Sequence, residues 1–220
     1  MSLTPARTTA APLAWIGSCA AAEAIGMTAS AIAARVADDI PASIGLIIIV
    51  IGGLVEGVAL GLLQSAWLAR RFPGLSRLWW TLITTAVAGV GWALASAPAA
   101  LGDDSGAPPP VFVILLASAG LGAAMGALMG VAQAAVLVRA VPHPWRWIPI
   151  STLAWMPTMV VIFAGATLPD ASWSTPSVVV TAAMTGLIAG AALGGVSILF
   201  MAGLTDAKAP GRERSDGRAP

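Results

Sequence analysis

Residues 52–73 read GGLVEGVALGLLQSAWLARRFP, an apolar run of helix length that holds Glu56 and Gln64 and stops on Arg70 and Arg71. Residues 122–142, GAAMGALMGVAQAAVLVRAVP, return the pattern sixty-nine residues later, with Met125 in the place of the glutamate. At that offset Gly53 pairs with Gly122, Gly57 with Gly126, Gly61 with Gly130 and Gln64 with Gln133. Leu68 also pairs with Leu137, Arg70 with Arg139, Pro73 with Pro142 and Arg77 with Arg146. Eight identities without a gap point to an internal duplication. On a helix of about 100° per residue, the three glycines and Gln64 share an arc of about 80°. Glycines spaced by four strip that stripe of side chains, so a second helix can approach closely. Gln64 and Gln133, set among them, are expected to act as clamps whose amides bond across to a neighbouring helix. Such bonds are worth about 0.6 kcal/mol, so they set geometry more than stability. Direct ligand binding is the second reading of both residues.

The rest of the chain fits a membrane setting. Of its 220 residues, 58% are hydrophobic and 10% charged, against about 25% charged in soluble domains. There are too few charges to cover a water-facing surface. Six stretches reach the roughly 20 apolar residues that a spanning helix needs: 12–34, 44–68, 78–98, 110–138, 147–168 and 177–203. The connections carry Pro, Gly or charge, as turns do. The predicted fold is an all-α polytopic bundle spanning residues 1–205. Its repeat hairpins are 44–98 and 110–168, and 206–220 form a polar, disordered cytoplasmic tail. A two-span unit keeps its orientation, so the repeat is parallel rather than inverted. Gly186, Gly190 and Gly194 carry the same spacing into span six, with Ser197 where the glutamine would fall. Span six therefore reads as a degenerate third copy of the first hairpin helix. Span one could complete that hairpin, but no alignment supports it.

Charge sets the expected orientation. Arg7, Arg70, Arg71, Arg77, Arg139, Arg146, Lys208, Arg212, Arg214 and Arg218 fall on one side of the spans, and only Arg35 on the other. Asp38, Asp39, Asp103, Asp104 and Asp170 share the side of Arg35. The positive-inside rule then places both termini in the cytoplasm of a bacterium, with the protein multipass in the plasma (inner) membrane. Trp79, Trp80, Trp145 and Trp147 stand where cytoplasmic interface anchors are expected, and Trp173 at the outer face. IGSC at 16–19 has the look of a lipoprotein cleavage box. The stretch before it is short, partly polar and contains Pro12, so the first helix is expected to be retained.

Glu56 lies near the middle of its span, where a charge costs at least about 2.5–3.5 kcal/mol. It sits about 80° from Gln64, on the flank of the packed face. It would be neutral, bond a Trp N–H, Gln or Ser of another helix, or bind a cation or carry protons. Glu23 in span one could face it, and two adjacent carboxyls would share a proton. Trp92 and Trp155 lie mid-span, where they pack in the core or line a cavity, and Pro157 should kink span five. His143 is the lone histidine and Cys19 the lone cysteine, so no metal centre, haem or disulfide framework is expected. The chain contains neither a Walker sequence nor a protease dyad, and no catalytic residue or cofactor is predicted.

The repeated GxxxGxxQxxxLxR hairpin, with tryptophans opening the next span, resembles a loose group of uncharacterised small bacterial multipass membrane proteins. In that group a Trp–Leu–Val–Leu–Arg-type run often follows the glutamine, which QSAWLARR and QAAVLVRA match in part. The resemblance covers spans two to five and implies no activity. The expected partners are the lipid bilayer and either a second copy or another membrane protein, with no nucleic acid. The expected function is small-solute or ion transport, or sensing, around Glu56, Gln64, Gln133 and Glu23. The alternative is a non-catalytic accessory subunit.

Overall fold

Where no water competes, backbone N–H and C=O groups must bond within their own segment, and a helix achieves that alone. The structure, a computed structural model, describes residues 10–38, 40–101, 109–170 and 172–205. It contains α1 (Ala10–Ala37), α2 (Ala42–Arg71), α3 (Arg77–Leu101), α4 (Val111–Leu137), α5 (Trp147–Ala166) and α6 (Thr175–Phe200). Single 3-10 turns precede α5 (Pro144–Arg146) and follow α6 (Met201–Leu204). The described residues form no strand. All six helices are long and apolar enough to cross a membrane, and they coincide with the six stretches predicted from the sequence. Arg7, Asp39, Asp103, Asp104, Lys208 and the whole tail from residue 206 lie outside the described residues.

Local chemistry sets the helix ends. Pro41 and Pro110 stand immediately before α2 and α4, where the fixed φ and missing N–H cost nothing. Ser174 caps α6 by accepting the Ser177 backbone N–H at 3.3 Å. Pro157 lies inside α5, which runs through it without a break; with no N–H there, the Leu153 carbonyl loses its helical partner.

The helices form a closed ring in chain order, and α6 returns to pack on α1. Four pairs pack closely: α6 with α1, α4 with α5, α2 with α3, and α1 with α2. The sparsest neighbours are α3 and α4. The outside of the ring is apolar, with Leu13, Ile47, Leu62, Leu116 and Leu199 all exposed, while its interior holds glycine, small residues and most of the polar side chains. For convenience, the end carrying Arg70, Arg71, Arg77, Arg139 and Arg146 is the arginine end, and that carrying Asp38 and Asp170 the aspartate end.

Three of these pairs, α2 with α3, α4 with α5 and α6 with α1, are made in the same way. A Cβ on Gly57 would stand 2.6 Å from the Thr85 Cα, and one on Gly61 would stand 2.6 Å from the Thr81 Cα. On α4, Gly122 seats on the backbone at Trp155 and Met156, Gly126 at Ser151 and Thr152, and Gly130 at Ile148. On α6, Gly186 seats on α1 at Glu23 and Ala24, Gly190 at Cys19 and Ala20, and Gly194 at Ile16. Gly53 departs from the pattern, because it makes room for the Trp92 side chain rather than for backbone. Lipid is as apolar as leucine, so helices gain little from apolar burial alone, and close backbone approach of this kind supplies the contact.

A test follows from two glycines of α6. Gly190 has the Cys19 carbonyl and Ala20 Cα against it, whereas Gly195 faces open space. Gly190→Ala is expected to lower stability by about 1–3 kcal/mol through overpacking. Gly195→Ala should raise it by up to about 1 kcal/mol through helix propensity. Thermal unfolding of both variants in one detergent gives the comparison, and equal shifts would contradict the packing described.

Candidate functional site

Near the arginine end, three helix pairs are each joined by an indole N–H bonded to a polar side chain. Trp80 Nε1 donates to Gln64 Oε1 at 3.4 Å, Trp147 Nε1 to Gln133 Oε1 at 2.7 Å, and Trp15 Nε1 to Ser197 Oγ at 2.9 Å. The two glutamines then reach the neighbouring pair: Gln64 Nε2 donates to Cys19 Sγ at 3.7 Å, and Gln133 Nε2 to Thr84 Oγ1 at 2.9 Å. Each amide thus ties three helices together. Ser197 is too short to reach onward and bonds back to the Leu193 carbonyl at 2.7 Å. Between these groups lies a cavity of about 10 Å³, lined in part by Gln64, Thr84, Gln133, Ser151 and Ser197. That is room for one water with several polar partners. Leu60, Met129 and Leu193, each four residues before its Gln64, Gln133 or Ser197, are buried and border the same cavity.

Two readings of the sequence change here. Trp80 and Trp147, expected at the interface, are 0% and 3% exposed and serve as the clamp donors, whereas Trp79 and Trp145 are 60% and 57% exposed. Neighbouring residues on a helix point about 100° apart, so Trp79 can face outward while Trp80 turns into the bundle. The ungapped pairing also fails beyond the first helix of each hairpin. Trp80 and Trp147, like Thr84 and Ser151, are matched by role sixty-seven residues apart, not sixty-nine. The second turn is two residues shorter, which removes Arg77 with Arg146 from the structural match. Trp15, Trp80, Trp147 and Thr84 went unrecognised as site residues. The available signal was Trp-x-x-x-Cys/Thr/Ser, which recurs at 15–19, 80–84 and 147–151.

The aspartate half is hollow. A cavity of about 1010 Å³ runs from Asp38 and Asp170 at the rim down to Glu56, Trp92, Met129 and Trp155. Glu56 is 4% exposed, and its Oε2 accepts the Trp92 Nε1–H at 2.9 Å. Two glycines permit that pair: Gly53 leaves room for the Trp92 ring, and Gly26 of α1 for the Glu56 side chain. Met125, the counterpart of Glu56 in the second hairpin, lines the same cavity. Glu23 is fully buried on α1, with neither carboxyl oxygen hydrogen-bonded, and lies within electrostatic reach of Glu56. It stands eight residues after Trp15, as Ala88 follows Trp80 and Trp155 follows Trp147. The structure therefore brings Glu23 and Glu56 together, and sends Gln64 and Gln133 to the other cavity.

The rim is charged. Arg35 Nη1 lies 3.6 Å from Asp38 Oδ2, and Arg35 Nη2 donates to the Trp173 carbonyl at 3.1 Å. Asp170 accepts the Ser172 hydroxyl and backbone N–H at 2.5 and 2.8 Å, which holds its carboxyl below the ordinary range and keeps it anionic. No protein-family model matches the chain, nor does any curated protein or solved structure; the geometry of the site must carry its own interpretation.

Two substitutions probe the site. Gln133→Leu strands the Trp147 N–H and is expected to cost about 1–3 kcal/mol. Adding Trp147→Phe should return part of that loss, which a double-mutant cycle on unfolding temperature reads directly. Glu23→Leu removes a buried carboxyl that has no bond to lose, so it is expected to raise stability by about 1–3 kcal/mol. A comparable fall would reveal a partner for Glu23.

Proposed function

We propose that this protein binds a small solute from the aspartate side of the bacterial inner membrane, to move it or to sense it, and that Glu56 is the residue that meets it. The observation that carries this reading is the cavity of about 1010 Å³ ending on a buried carboxyl. A carboxyl at that depth is costly in lipid and is retained where it faces a cavity or a partner. The distribution of arginine supports an orientation in which the arginine end and both termini are cytoplasmic, so that the large cavity faces outward. Leu60, Met129, Leu193 and the tryptophan clamps fill the cytoplasmic half, so passage of a solute requires that half to rearrange, whereas sensing does not. The shared glycine seats and tryptophan bonds also support descent of the α2–α3, α4–α5 and α6–α1 pairs from one glycine-striped hairpin. On this view the third copy is α6 with α1, split between the two ends of the chain.

Proteoliposomes of the purified protein, loaded in turn with sodium, potassium, an uncharged sugar and organic cations, provide the test. At least one solute should move faster than through protein-free vesicles, and Glu56→Gln should slow it by about tenfold or more, equivalent to about 1.4 kcal/mol. Flux unchanged by Glu56→Gln would remove Glu56 from the solute path. Native mass measurement of the same sample reads the oligomeric state.

A further inference from the structure

We propose that the large cavity takes a lipophilic organic monocation, with Glu56 as its counter-charge. This rests on the reading of the cavity as a solute site and names the class of solute.

The cavity is of the size that encloses a drug-sized molecule, at the top of the range of about 300–1,000 Å³. Four of the chain's eight methionines, Met27, Met125, Met129 and Met159, line it. Thioethers are polarizable and unbranched, and they adapt to irregular apolar shapes. Trp92 and Trp155 add two indoles at the floor, and an aromatic face attracts a cation by about 0.5–2 kcal/mol, more as water is excluded. Glu56 is the acid at the floor, and Trp92 occupies only its Oε2, which leaves Oε1 for a ligand.

Other ligand classes fit less well. An anion would meet Glu56 without compensation, because the basic side chain lining the cavity, Arg35, is at the rim and already paired with Asp38. A bare metal ion needs about six oxygen ligands, and the floor offers one carboxylate among methionine and tryptophan. A bulky organic cation brings its own apolar shell, so it loses little hydration on entering and still gains the carboxylate.

The experiment is equilibrium binding to the full-length protein in lipid nanodiscs, with empty nanodiscs subtracted. The probes are tetraphenylphosphonium and the neutral triphenylphosphine oxide. Tetraphenylphosphonium is expected to bind saturably, at least about tenfold tighter than the neutral compound, which corresponds to about 1.4 kcal/mol. Glu56→Gln should weaken the cation alone, by a similar factor. Equal binding of the two probes to the unaltered protein overturns the inference and leaves the solute cavity standing, as does a Glu56→Gln variant that keeps full affinity for the cation. Binding of neither probe overturns the inference, and the flux panel then decides the broader reading. Should Glu56→Gln fail to fold, the preference of the unaltered protein still decides.

Discussion

Everything in this bundle depends on how closely two helix backbones can approach. In lipid the exterior of a helix gains nothing from hiding its leucines, so association must come from dispersion contacts and from polar groups that find partners. Glycine provides the first. At Gly57, Gly61, Gly126, Gly130, Gly190 and Gly194 one helix lies directly on the backbone of its partner. Such contact tolerates no side chain, and it fixes the relative height of the two helices to within a fraction of a turn. The indole bonds to Gln64, Gln133 and Ser197 act at the height so fixed. Their small individual strength matters little, because a buried indole N–H or amide left without a partner costs more than the bond supplies.

The two halves of the ring diverge because their fillings differ. Toward the arginine end, three tryptophans meet across the axis, with ring centroids 6.4 Å apart for Trp15 and Trp147 and 5.9 Å for Trp80 and Trp147. They leave a space of about 10 Å³. Toward the aspartate end many interior positions carry Ala, Gly, Ser or Met, and about 1010 Å³ stays unfilled. One hairpin geometry thus supports a plug at one end and a pocket at the other. Glu56 lies where the pocket stops, and the neighbouring apolar layer of Leu60, Met129 and Leu193 borders the plug.

Much of this was legible from residues alone. Spans declare themselves by composition, since a membrane demands long apolar runs whatever they later touch. The glycine stripe and the place of Gln64 and Gln133 on it also follow from the helical period, because both concern one helix by itself. Adjacent tryptophans were not legible in this way. Trp79 and Trp80 are identical in type, and only the partner helix decides which of them is buried. The two-residue shift between Thr84 and Ser151 was hidden because Pro73 with Pro142, and Arg77 with Arg146, line up in a turn whose length had changed. The pairing of α6 with α1 was hidden for a different reason: the two helices stand at opposite ends of the described chain, so no turn marks them as neighbours.

The sequence by itself determined that the protein has six apolar helices, which faces of α2 and α4 are bare of side chains, and that Glu56 is buried at mid-span. These are properties of single segments, set by length, period and the cost of charge in lipid. Only the tertiary structure decided what each buried group meets. It placed Glu56 on Trp92 and at the floor of a cavity, Glu23 behind it without a hydrogen bond, and the glutamines in a separate polar layer. A helix has one face toward each neighbour, and the choice among neighbours belongs to the closing of the ring rather than to any one stretch of chain.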